Sequence, residues 1–144
     1  MNGTPFRLGT FTKAGVRPFA AVVLGDDDVI NLKAAPNAGA LSSTDSIDGL
    51  LEDWDANFAT LQKICEALEK EGRPGAVKLA TLRALAPVRR PGKMFYAAQN
   101  FQEHVDEMLR AGMTPASGPK FTGEKSTSDP YLFLKAPSTL CGAN

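Results

Sequence analysis

Phe6-Arg7-Leu8-Gly9-Thr10-Phe11-Thr12, Lys13-Ala14-Gly15, Phe19-Ala20-Ala21-Val22-Val23-Leu24, Gly25-Asp26-Asp27-Asp28 and Val29-Ile30-Asn31-Leu32 mark out the first part of the chain. The first run alternates along a period of two, as a half-buried strand does. Lys13-Ala14-Gly15 supplies a turn, and Phe19 to Leu24 follows as a more apolar strand. Gly25 to Asp28 turns the chain again into Val29 to Leu32. The pattern predicts a three-stranded antiparallel meander. Three successive aspartates invite a metal reading, but Asp beside Gly between two strands is turn chemistry, because its short side chain bonds nearby backbone.

Beyond the meander, a polar loop ends at Ser46. Ile47, Leu50, Leu51, Trp54, Phe58, Leu61, Ile64, Cys65 and Leu68 then recur at helical spacing, which predicts an amphipathic helix facing a core. Asp53-Trp54-Asp55 is expected to split it, with Asp55 capping the second piece, and Trp54 and Phe58 are expected in the core. Gly72 and Pro74 stop the helix. Glu69 and Glu71 would share a face on a strand, but on a helix of about 3.6 residues per turn they point about 200° apart. They read as a solvated helix end.

After Gly75 the chain is extended through Val77-Lys78-Leu79 and Leu85-Ala86-Pro87-Val88, with Arg89-Arg90 at the surface. Pro91-Gly92 marks a boundary. Lys93 to Ala98 reads as a buried strand, Asn100 to Leu109 as a short helix, and Tyr131 to Lys135 as a further strand. Between them, Gly112 to Pro130 is rich in Gly, Pro, Ser, Thr and Lys. A stretch that long without structure of its own is usually a functional lid or insertion. The fold class is α+β: a small N-terminal domain over residues 1–88, a β-meander with helices, followed from 89 to 144 by the start of a second, β-rich domain.

Composition narrows the function classes. The chain has 144 residues, 43% of them hydrophobic, which suits a packed core. Sixteen basic residues balance sixteen acidic ones, so no basic excess exists for nucleic acid. The longest apolar run, Phe19 to Leu24, is far too short to span a membrane, and the N-terminus resembles no signal peptide. The expectation is a soluble, cytoplasmic protein. Cys65 and Cys141 allow one disulfide, but read as two buried reduced thiols. With one histidine they fall short of a Cys/His zinc site.

The chemistry concentrates in Asn100-Phe101-Gln102-Glu103-His104-Val105-Asp106-Glu107. On a helix His104 and Glu107 lie at i and i+3, so the carboxylate can bond one imidazole nitrogen and raise the basicity of the other. A histidine so held can take a proton from water near neutral pH. H-x-x-E alone also describes an ordinary surface histidine on a polar helix.

The wider pattern is more specific. A strand, Asn-Phe-x-x-His-x-x-Glu, a Gly/Pro-rich stretch and then Phe133-Leu134-Lys135-Ala136-Pro137-Ser138 resembles the fumarylacetoacetate hydrolase family at each station. That family typically shows N-Y-x-x-H-x-x-E, a mobile segment and F-x-K-P. The resemblance implies that His104 and Glu107 activate water. It also implies that Lys135 and Asn100 bind substrate, Lys135 meeting a substrate oxygen or a developing oxyanion. Residues 112–130 would form part of a lid. Phe101 departs from the family's Tyr, and Ala98 and Ala136 from its Gly and Pro. Where one branch has a metal-binding Asp seven residues before the His, this chain has Ala97.

The resemblance further implies Mg²⁺ or Mn²⁺ held by a strand-borne E-x-E and a later acid, beyond Asn144. The chain is therefore expected to be a piece of a longer, homodimeric enzyme without metal ligands of its own. The activity implied is hydrolysis of a carbon–carbon bond in a 2,4-dioxo acid, an acylpyruvate or a diketo sugar acid. Decarboxylation or isomerisation on the same scaffold, or a non-catalytic binding or assembly module, are the alternatives.

Overall fold

The computed structural model describes residues 3–98, 101–113 and 131–142. The chain divides into two compact units, Met1–Pro91 with Leu140–Asn144, and Gly92–Thr139. The architecture is α+β.

In the first unit β1 (Arg7–Thr12), β2 (Phe19–Leu24) and β3 (Asp28–Asn31) form the antiparallel meander, with Gly9 opposite Ala21 and Val22 opposite Ile30. β4 (Val77–Lys78) and β5 (Arg83–Leu85) extend it to five strands in the order β4-β3-β2-β1-β5. Those two edge strands are too short to show a period of two in sequence.

β2 is the central strand and is buried on both faces, which explains its unbroken apolar run. Ala20, Val22 and Leu24 join Ile30, Leu32 and the helical residues Leu61, Ile64, Cys65 and Leu68 in the main core. Ala21 and Val23 pack on the opposite side with Phe11 and Val29, against Leu79, Leu82 and Ala84. Fully burying one such Val, Ile or Leu contributes about 1.5–3 kcal/mol.

The helical segment splits into α1 (Ile47–Leu51) and α2 (Trp54–Lys70). Ser46 caps α1, its hydroxyl accepting the Gly49 N–H at 3.1 Å. The cap position of α2 is Asp53 rather than Asp55, and its side chain makes no capping bond. Asp55 instead stands in the first turn, where a negative charge complements the helix dipole.

Trp54 and Phe58 are also not core residues; they are 37% and 38% exposed. The buried stripe of α2 runs through Asn57, Leu61, Ile64 and Leu68, and the two aromatics fall on its border. There Phe58 meets both Phe6 and Trp54, at ring separations of 6.0 and 5.5 Å. Asn57 occupies the stripe because its amide is fully used. Its oxygen accepts the Ser42 N–H at 2.9 Å, and its nitrogen donates to Leu50 O at 2.9 Å and Ser42 Oγ at 2.6 Å.

Asp27 and Asp28 of the three successive aspartates face cations. Lys78 Nζ lies 2.9 Å from Asp27 and 2.6 Å from Asp28, and Arg73 Nη1 lies 2.7 Å from Asp28. Arg73 also pairs with Glu69 at 2.8 Å. These bonds hold Arg73 at φ 59°, just past Gly72 at the end of α2, a left-handed conformation uncommon outside glycine. Both cysteines are free, but only Cys65 is buried; Cys141 is exposed, in the short segment after the second unit. Burial, aided by Glu69 and Glu66, pushes the Cys65 thiol up to about 11.

The second unit contains β6 (Phe95–Ala98), α3 (Gln102–Arg110) and β7 (Tyr131–Leu134). β6 and β7 pair antiparallel, with Tyr96 opposite Phe133. The strand expected around residues 93–98 is present but not buried, because a two-stranded ribbon covers little of itself: Phe95 is 64% exposed and Leu134 68%. Among the described residues, no helix is long and apolar enough to cross a membrane.

Candidate active site

The sequence-predicted residues fall in the second unit. His104 sits in the first half of α3, whose polar composition leaves it and Glu107 exposed. Helical spacing brings His104 Nδ1 to 3.9 Å from Glu107 Oε2. That is an electrostatic contact and not yet the expected hydrogen bond, which needs about 3.2 Å or less. The two side chains are 58% and 70% exposed, so the imidazole is open to water.

Lys135 follows β7 directly. Its backbone N–H donates to Met94 O at 3.3 Å, carrying the ribbon's pairing one residue past the strand. Its ammonium lies 4.6 Å from the Tyr96 ring centroid and 5.9 Å from that of Phe133. The two rings are stacked at 5.5 Å. No hydrogen bond or ion pair among the described residues joins Lys135 to His104 or Glu107. Asn100 and residues 114–130 of the expected lid lie outside the described residues.

Tyr96 is the residue that sequence reasoning passed over. Phe133 and Lys135 stand two apart, so their side chains share a face of the strand, a signal present in the sequence. The partner across the ribbon depends on register and was not legible.

Among the described residues, no three His, Cys, Asp or Glu side chains cluster closely enough to hold a metal ion. A divalent cation would therefore not fit these side chains alone. Asp27 and Asp28, between β2 and the start of β3, are engaged by Lys78 and Arg73.

A separate groove of about 430 Å³ lies in the first unit, lined by Pro5, Phe6, Leu8, Trp54, Phe58 and Gln62. It contains none of the predicted site residues.

The chain is similar to maleylpyruvate hydrolase of Aquipseudomonas alcaligenes. The two are 32% identical over 96 residues, 67% of this chain and 31% of that protein. This chain thus covers less than a third of its relative's length. No family model and no solved structure matches it.

Proposed function

We propose that the chain belongs to a hydrolase of the fumarylacetoacetate hydrolase family that cleaves a carbon–carbon bond in an acylpyruvate-type 2,4-dioxo acid. The similarity to maleylpyruvate hydrolase carries this reading. The contact between His104 and Glu107 and the placement of Lys135 at the end of a paired strand support it.

The residues supply two kinds of chemistry. His104, oriented by Glu107, takes a proton from water as the oxygen attacks the carbonyl distal to the 2-oxo acid end. The carbon–carbon bond then breaks, and its electron pair passes into the enolate of the 2-oxo acid product. The proton held on imidazolium returns to that carbanionic carbon, so the products are a carboxylic acid and a 2-oxo acid. Lys135 binds an anionic oxygen of the substrate through its ammonium donors. His104, Glu107 and Lys135 supply the proton transfer and the anion binding of these steps.

The test is product analysis on the full-length protein supplied with Mg²⁺ or Mn²⁺, using acylpyruvates, maleylpyruvate among them. Hydrolysis yields two acids in equal amounts, without gas. Release of carbon dioxide would make the protein a decarboxylase, an isomeric product would make it an isomerase, and no turnover would favour a binding module.

A further inference from the structure

The ammonium of Lys135 rests on an aromatic face where a carboxylate would be the ordinary partner. Among the described residues, no acidic side chain pairs with it. Tyr96 and Phe133 are direct cross-strand partners, their rings stacked at an interplanar angle of 25°. Lys135 Nζ stands closest to Tyr96, at 4.6 Å. A lysine fixed only at its backbone sweeps a wide arc on its flexible four-carbon stem. A ring face attracts the cation and narrows that arc. Unlike a carboxylate, it leaves the charge unneutralised and the N–H donors available for an oxygen ligand.

We propose that Tyr96, stacked on Phe133, is the positioning residue that presents Lys135 to an anionic oxygen of the substrate. The role rests on the acylpyruvate reading above. It assigns to the ribbon a function in substrate recognition, with Tyr96 acting through Lys135 and not on the reacting atoms.

The experiment compares Tyr96→Leu, which removes the ring, with Tyr96→Phe, which keeps it. Two readouts are taken on the intact protein. Limited acylation with acetic anhydride, mapped by mass spectrometry, reports how freely the Lys135 amine reacts relative to Lys33 and Lys63. Steady-state kinetics on acetylpyruvate separates KM from kcat. The expected result for Tyr96→Leu is faster Lys135 acylation and a KM raised about two- to fivefold with kcat unchanged, as suits an exposed cation–π contact. Tyr96→Phe is expected to match wild type in both. Phe133→Leu, at the partner position, is expected to give a weaker version of the Tyr96→Leu result, and keeps the test decisive if Tyr96→Leu misfolds.

Unchanged Lys135 acylation in the ring-deleted variants overturns the proposal, whatever the kinetics. Faster acylation with unchanged KM also overturns it while leaving the acylpyruvate reading intact. A wild-type protein that turns over no dioxo acid overturns that reading, and the substrate role of Tyr96 with it.

Discussion

His104 and Glu107 could be paired on paper because a helix fixes the i, i+3 relationship once the helix itself is recognised. Their separation of 3.9 Å agrees with that geometry. If His104 is the base, His104→Gln should lower kcat on a confirmed acylpyruvate by at least about 10²-fold, the lower end of general-base contributions. Steady-state rates measure it, and retained turnover would remove His104 from the mechanism. Asn57 makes the contrasting case. In sequence it is a polar interruption of an apolar pattern, whereas in the fold it is 1% exposed and joins α2 to α1 and the preceding loop. Its partners Ser42 and Leu50 lie in other segments, so no local pattern announces it. Asn57→Ala leaves the Ser42 N–H and the Leu50 carbonyl short of a partner and should cost about 1–3 kcal/mol. Urea denaturation of the two proteins, compared by midpoint at equal slope, gives the difference.

At the scale of elements, the meander and the long helix were legible because their hydrophobic periods are long enough to count. β4 and β5 were legible only as extended chain, at Val77-Lys78-Leu79 and from Leu85 onward, because two or three residues carry no period; pairing with β3 and β1 makes them strands, and places β5 slightly earlier, at Arg83–Leu85. The junction of α2, β3 and β4 has a pH signature. The Asp28 carboxyl is held below its ordinary value of 3.8, first by the hydrogen bond from Lys78 and then by that from Arg73. A depressed carboxylate stabilises the fold above its unfolded-state pKa, and this stabilisation is lost as pH falls through the lower folded-state value. Lys78 and Arg73 shift upward, each chiefly through its hydrogen bond with Asp28, so their side of the contact is lost only far into the alkaline range. The prediction therefore concerns acid. Asp28→Asn should lower stability at neutral pH and flatten the stability loss below pH 3.8, with wild type and variant converging at the acid end. Denaturant midpoints measured from pH 2 to pH 7 test this, and parallel curves across that range would show that the contact carries no net stability.

Across the whole molecule, what could be read differed between the two units for a physical reason. The first unit encloses its own core, so local hydrophobic patterns coincide with burial, from Ala20 to Leu68. In the second unit the apolar runs of β6 and β7 predicted strands correctly, yet the same apolarity did not translate into burial: Phe95, Leu132 and Leu134 are all more than half exposed. An apolar strand reports a tendency to be covered, and a two-stranded ribbon meets little of it. Isolated two-stranded ribbons are marginally stable in water, whereas a strand buried on both faces opens only with its whole unit. Amide exchange should therefore separate the units. Peptides spanning residues 21–24 of β2 should exchange slowest, with protection close to that of global unfolding. Peptides spanning residues 96–98 of β6 and 132–134 of β7 should exchange orders of magnitude faster, although each residue there also lies in a paired strand. Hydrogen–deuterium exchange read by mass spectrometry makes the comparison within one sample. If the ribbon amides were protected as strongly as those of β2, something beyond the β6–β7 pairing would have to hold the ribbon closed, and the exposure of Phe95, Leu132 and Leu134 could not describe the protein in solution.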